Sequence, residues 1–103
     1  MTVSEILHLK LHRRFFALIA SRKKRVEYRD QTTHWRRRLE GRHYDFIKFR
    51  NGYATNAPEL LVEFRGLRRY GKGRQAYYAI RMGRILRVKN WPAQLSTQFQ
   101  SRA

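Results

Sequence analysis

The chain has 103 residues, and its 24 lysines and arginines against 7 aspartates and glutamates give a formal net charge of +17. A chain of this length fits one domain, because a second domain would have too little apolar surface for its own core. Hydrophobic residues make up 42% of the chain and aromatic residues 14%, which favours a folded domain over a disordered one.

Several classes of protein are excluded by what the chain lacks. Cysteine is absent, so disulfides and thiolate zinc sites are excluded, and the four histidines are not spaced as zinc ligands. We therefore expect no metal and no cofactor. No apolar run approaches the roughly 20 residues needed to cross a bilayer. The N-terminus has no basic region ahead of an apolar one, as a signal peptide would, so we expect a cytoplasmic protein.

The first elements are predicted from a change of hydrophobic period. Residues 7–11 alternate leucine with polar side chains, which is typical of a half-buried strand. The following residues change to a helical period that predicts a short helix ending at Ser21. Phe15, Leu18 and Ile19 share its inner stripe, and Phe16 and Ala20 lie beside that stripe. The β-branched and aromatic content of residues 24–29 then predicts a second strand.

A second short helix is predicted after that strand. Thr32 or Thr33 can cap its N-terminus, and Gly41 ends it. Trp35 shares an apolar stripe with Leu39, so we expect its ring in the core rather than on a stacking surface. The apolar residues that follow, 43–50, predict a strand that ends in an Asn-Gly turn.

The C-terminal half is predicted to be all β. Residues 68–75 are typical of a basic loop because two glycines interrupt them, and Gly83 is predicted to join the last two strands. Residues 92–103 are expected to form a loosely attached tail. The three strands of this half are expected over residues 59–67, 76–82 and 84–89.

These elements predict a mainly β domain with short helices over residues 1–91. We expect five to seven strands, estimated from the pattern, in a mostly antiparallel sheet. Strands this closely spaced, with few crossover helices, favour a small curled sheet or barrel over a parallel α/β sheet.

The charge predicts a polyanionic partner. RNA, DNA and an acidic membrane surface are the natural complements of a chain that carries +17. A membrane surface is disfavoured, because the sequence contains no basic amphipathic helix of useful length. RNA and DNA both remain.

One stretch, "SRKKRVEYRD" at residues 21–30, has a glutamate inside a run of basic residues. On a strand, alternate residues share a face, so Glu27 and Arg29 point the same way, with Lys24 at the entry to the strand. A carboxylate can hold a guanidinium in a fixed plane, where it meets a phosphate or a base edge. The alternative is that Glu27 only relieves repulsion among its basic neighbours.

The same stretch, together with the order of the elements, resembles the ASCH domain, a small β-barrel relative of the PUA fold. That family is marked by a Gly/Ser-x-Lys-x-x-Glu-x-Arg pattern after its first helix, and Lys24, Glu27 and Arg29 are in register with it when Lys24 is taken as the lysine. The segments "YDFIKFRNGY" and "YYAIRMGRIL" are further matches. The resemblance covers roughly residues 5 to 90 and implies a PUA-like curled barrel associated with RNA.

An RNA-binding protein with a basic cleft is the first function that these features imply. Phosphate neutralisation would supply most of the affinity, and aromatic stacking would supply selectivity. One or two of the arginines at residues 36–38 are expected at phosphates, and one of Tyr77 and Tyr78 at the cleft. The predicted RNA-binding residues are Lys23, Lys24, Glu27, Arg29, Arg36, Tyr53, Arg69, Lys72, Arg74 and Tyr78.

An RNA-processing enzyme is the alternative. ASCH proteins that hydrolyse N4-acetylcytidine use a lysine, a threonine three residues later and a distant glutamate, whereas Glu27 stands at the position of that threonine. This departure argues against the amidohydrolase chemistry. A metal-free ribonuclease would use Glu27 as base, Lys24 as the cation that stabilises the phosphorane and Arg29 as a phosphate clamp.

Overall fold

The computed structural model describes residues 5–91 and contains one five-stranded sheet that curls into a half-barrel. Its strand order is β1-β3-β4-β5-β2. The elements are β1 (Ile6–Lys10), α1 (Arg13–Ala20), β2 (Val26–Asp30), α2 (Thr33–Leu39), β3 (Phe46–Arg50), β4 (Glu59–Tyr70) and β5 (Tyr77–Lys89).

The predicted fold class is confirmed. The β2–β5, β3–β4 and β4–β5 pairs are antiparallel, and β1–β3 is the parallel pair. Within residues 5–91, no helix is long and apolar enough to span a membrane. The predicted tail over residues 92–103 lies outside the described residues.

The core lies between the concave side of the sheet and the two helices. The alternating leucines of β1 are buried against β3 and β4, as their period predicts. On α1 the buried residues are Phe16 and Ile19, whereas Phe15 is 39% exposed. The prediction of Phe15 as an inner residue is therefore wrong, because the helix is rotated by about one position and leaves that ring beside a surface groove.

The β4–β5 hairpin is longer than predicted. Gly83 does not separate two strands, because β5 continues through it, opposite a part of β4 where the pairing register shifts between Leu61 and Gly66. The residues predicted as a loop, 68–75, also begin in a strand, since β4 extends to Tyr70. The glycines and basic residues after Tyr70 form a short tip that closes through a 3₁₀ turn over Gly73–Gln75.

The second helix begins as predicted. The Thr32 hydroxyl accepts a hydrogen bond from the Trp35 backbone N–H at 3.2 Å, which caps the free N-terminal amides. Gln31 alone separates this cap from Asp30, the last residue of β2, so α2 is held close to the end of β2. This places Trp35 beside the functional groups of β2.

The hairpin tip depends on Gly71. Its φ is +77°, and a Cβ there would lie 2.5 Å from the Gln75 carbonyl oxygen. We expect Gly71→Ala to lower the free energy of unfolding by about 2–3 kcal/mol, as a steric cost added to left-handed strain. Gly73→Ala, at φ +59° with no atom within 4 Å, is the matched control and should cost about 1 kcal/mol. Urea denaturation measures both, and equal losses would contradict the close approach.

Candidate functional site

An open groove of about 630 Å³ lies where the end of β1, the start of α1, β2 and the first turn of α2 meet. The turn that follows β3 closes its far side through Asn51, Gly52 and Tyr53. Its lining includes both basic and aromatic side chains. The groove is therefore built from segments that are distant in sequence.

Glu27 organises the floor of this groove. It is 7% exposed and is the buried charged residue of residues 5–91. Its Oε1 lies 3.3 Å from the Lys24 Nζ, and its Oε2 accepts a hydrogen bond of 2.9 Å from the Arg29 Nε. Strand alternation puts Glu27 and Arg29 on one face of β2, and the lysine reaches in from the preceding turn. The two cations offset the hydration free energy that the carboxylate loses on burial.

Arg29 is held from three sides. Besides its bond to Glu27, its Nη2 donates to the Lys10 carbonyl oxygen at 3.0 Å. Its guanidinium carbon lies 4.8 Å from the centroid of the Trp35 ring. These contacts fix the plane of the guanidinium, which is the condition for directional binding of an anion.

Trp35 differs from its prediction. The ring packs against the core but remains half-buried, and it lines the groove. It also contacts a second guanidinium, that of Arg38 at 5.2 Å, whose Nη2 donates to the His8 carbonyl oxygen at 2.7 Å. The expected packing of this ring against the core is observed, but part of the ring also stays at the surface, where it lines the groove.

Exposed aromatic rings form the rim of the groove. Tyr53 is 83% exposed, Tyr28 is 55% exposed and Phe15 is 39% exposed. The Lys10 Nζ lies 3.0 Å from the centroid of the Tyr53 ring, and the Lys24 Nζ lies 5.2 Å from that of Tyr28. Large rings that stay exposed beside ammonium groups are suited to stacking on flat ligands near negative charge.

Hydrogen bonds from the turn that follows β3 connect the rim of the groove to the sheet. The Asn51 side-chain amide donates to the Leu11 carbonyl oxygen at 2.9 Å, and the Leu11 N–H donates to the Arg50 carbonyl oxygen at 2.9 Å. The Asn51 N–H in turn donates to the Pro58 carbonyl oxygen at 3.0 Å. These bonds hold Tyr53 opposite β2.

Nine of the ten predicted site residues fall into three places. Lys24, Glu27, Arg29 and Tyr53 lie at the groove, with the exposed Lys23 next to them. The second place is the C-terminal end of α2, where the Glu40 carboxylate lies 3.4 Å from Arg69 and where Arg36 also lies. The third is the exposed hairpin tip, which carries Lys72 and Arg74.

Tyr78, predicted as an RNA-binding residue, lies in the core and does not line the groove. Its side chain is fully buried in the core with Ile80, and its hydroxyl donates a hydrogen bond to Glu40. Burial, followed by the bond to this carboxylate, raises the pKa of Tyr78. The alternation of β5 turns Tyr77, not Tyr78, to the outer face of the sheet.

Sequence reasoning missed Lys10, Phe15 and Tyr28 as groove residues. Lys10 occupies an exposed position of β1, which its alternating leucines predict as a strand. Its proximity to Tyr53, however, depends on the parallel pairing of β1 with β3, which no local pattern indicates. Tyr28 alternates away from Glu27, yet β2 is an edge strand, so its ring reaches around the margin of the sheet into the groove. Within residues 5–91, no three histidine, aspartate or glutamate side chains are grouped to hold a metal ion.

The central role of Glu27 can be tested through stability. Glu27→Gln leaves two cations facing a neutral amide, so we expect the free energy of unfolding to fall by about 1–3 kcal/mol. Urea denaturation gives the value. Glu5→Gln, which removes the same charge from an exposed side chain, is the control and should change little. Equal effects of the two substitutions would mean that Glu27 is a peripheral charge.

Comparisons with protein-family models, with curated proteins and with solved structures gave no match to this chain. The resemblance to the ASCH domain therefore stays a prediction that rests on the quoted motifs.

Proposed function

We propose that the chain is a cytoplasmic RNA-binding protein of the ASCH type that holds RNA in the groove around Arg29. The observation that carries this proposal is the fixed guanidinium of Arg29 among the exposed rings of Tyr28 and Tyr53. An immobilised cation flanked by stacking surfaces matches a nucleotide, which combines a phosphate with a flat base.

Pre-organisation of Arg29 favours binding of a phosphate. A guanidinium has five N–H donors in a rigid fork. Within residues 5–91, the hydrogen bonds of Arg29 use its Nε and Nη2. Because Glu27 and Lys10 already orient the side chain, little further entropy is lost when a phosphate oxygen binds to its remaining donors.

The net charge supports the same partner. A chain that carries +17 attracts a polyanion over a long range, and RNA that neutralises these charges releases its counterions. Lys10 and Lys24 add two ammonium groups at the groove beside the aromatic rims. Electrostatics would draw RNA to the surface, and the groove would position it.

Binding is better supported than catalysis. Both oxygens of Glu27 already contact cations, at 3.3 Å and 2.9 Å, and the side chain is 7% exposed. A ribonuclease base must reach a 2′-hydroxyl within hydrogen-bond distance, and a hydroxyl at this carboxylate would have to displace Lys24 or Arg29. The amidohydrolase chemistry is disfavoured further, since it needs a hydroxyl side chain where Glu27 stands.

The proposal predicts unequal effects from removal of equal charges. We expect Arg29→Ala and Lys24→Ala to weaken RNA binding about tenfold, because a positioned contact is lost along with the charge. Arg37→Ala, on the exposed side of α2, is the matched control and should have an effect of about twofold or less. Fluorescence anisotropy with labelled RNA, repeated over a range of salt concentrations, measures all three.

Two outcomes would reject the proposal. If wild-type protein retains no RNA at low salt, or if its affinity does not fall as salt rises, nucleic acid is not the partner. If the labelled RNA is cleaved, and Glu27→Gln slows cleavage by about a hundredfold without loss of binding, the protein is a ribonuclease. A denaturing gel of the same samples distinguishes cleavage from retention.

A further inference from the structure

Three tyrosines form a continuous row on the outer face of the sheet, opposite the core. The Tyr28 and Tyr77 rings meet edge to face with centroids 5.9 Å apart, and the Tyr77 and Tyr70 rings stack with centroids 5.4 Å apart. The row crosses three strands, β2, β5 and β4, because Tyr77 is paired with Tyr70 in the hairpin register. We call Tyr28, Tyr77 and Tyr70 the tyrosine row.

The tyrosine row is connected to the groove. Tyr28 lines the groove on one side of the edge strand β2. On the other side of β2, Tyr28 also lines a shallow cleft of about 380 Å³, together with Tyr77 and Tyr70. At its other end, Tyr70 directly precedes the hairpin tip with Lys72 and Arg74. A strand of nucleic acid that leaves the groove past Tyr28 therefore meets two more rings and then a basic tip.

The charge around the row is mainly positive. Arg68 and Arg81 line the shallow cleft beside the rings, and both are exposed. Asp30 lies next to Tyr77 on the same face and is an acidic exception. Arginines that flank exposed rings provide phosphate contacts next to surfaces on which bases stack.

Cross-strand packing explains only part of the row. A stacked pair such as Tyr70 and Tyr77 stabilises the end of a hairpin. Such a role does not need Tyr70 to remain 42% exposed or Tyr28 to remain 55% exposed, nor does it need two exposed arginines beside the rings. Exposed aromatic surface with basic neighbours is complementary to unpaired bases on a phosphate backbone.

We propose that the tyrosine row is a second stacking surface for the RNA held in the groove, so that the ligand is single-stranded RNA that runs from the groove to the hairpin tip. This inference rests on the proposed function and specifies its substrate class. Bases of a duplex are already paired and stacked, and they cannot lie on the tyrosine rings. Single-stranded bases can stack on any aromatic face with little sequence preference.

The test compares two lengths of labelled oligouridine, a homopolymer that forms no duplex with itself. An oligomer of about four nucleotides fills the groove alone, and one of about ten reaches the row. Tyr70→Ala is expected to weaken binding of the longer oligomer about tenfold and to leave the shorter one unchanged. Tyr70→Phe, which keeps the ring, should restore binding.

Two controls separate stacking from general damage. Leu86→Ala removes a side chain that is 44% exposed on the same strand as Tyr77 but lies outside the row, and it should change neither affinity. Annealing the longer oligomer to oligoadenosine makes a duplex, whose binding Tyr70→Ala should leave unchanged. Thermal unfolding of each variant checks that the fold is intact.

Failure of the row and failure of the proposed function give different results. If the shorter oligomer binds and Tyr70→Ala leaves the longer one at wild-type affinity, the row is not a stacking surface, whereas RNA binding in the groove is still supported. If Tyr70→Ala weakens the binding of both oligomers equally, or weakens the binding of the duplex, the row is likewise not an extension of the groove. If neither oligomer binds at low salt, the proposed function and the row fail together.

Discussion

Burial of the Glu27 carboxylate between Lys24 and Arg29 is the constraint on which the groove depends. A carboxylate that is 7% exposed loses most of its hydration, and it is stable there only because two cations contact it. The same contacts immobilise Arg29, whose remaining bonds reach β1 through Lys10 and α2 through Trp35. One buried charge thus joins three elements and sets the shape of the groove between them.

The acidic residues have a similar role elsewhere in this basic chain. Glu59 lies 3.0 Å from Arg50, Glu63 lies 3.0 Å from Arg65, and Glu40 binds both Arg69 and Tyr78. The Glu63 carboxylate also accepts a bond from the Arg84 backbone N–H, and this bond is the main reason that its pKa is lowered. The few carboxylates therefore orient particular arginines within the fold. They reduce repulsion inside the sheet, and a net charge of +17 remains on the chain.

Local periodicity was enough to predict the fold class and part of the site. The alternating leucines of residues 7–11 mark a strand, Thr32 marks a helix start, and strand alternation places Glu27 and Arg29 on one face. The parallel pairing of β1 with β3 is not a local property, so the meeting of Lys10 with Tyr53 was missed. The placement of Tyr78 failed for a related reason. Alternation shows that Tyr77 and Tyr78 face opposite ways, but only the curl of the sheet decides which face is the core.

Substitution of Arg29 by lysine keeps the net charge and removes the planar fork, so it separates an oriented guanidinium from charge alone. We expect Arg29→Lys to bind labelled single-stranded RNA about tenfold more weakly than the wild type, since an ammonium cannot bond Glu27, Lys10 and a phosphate in one plane. Anisotropy titration at a single salt concentration measures this difference. Wild-type affinity in Arg29→Lys would show that charge alone, and not an oriented guanidinium, holds the RNA, and would rule out the proposed role of Arg29.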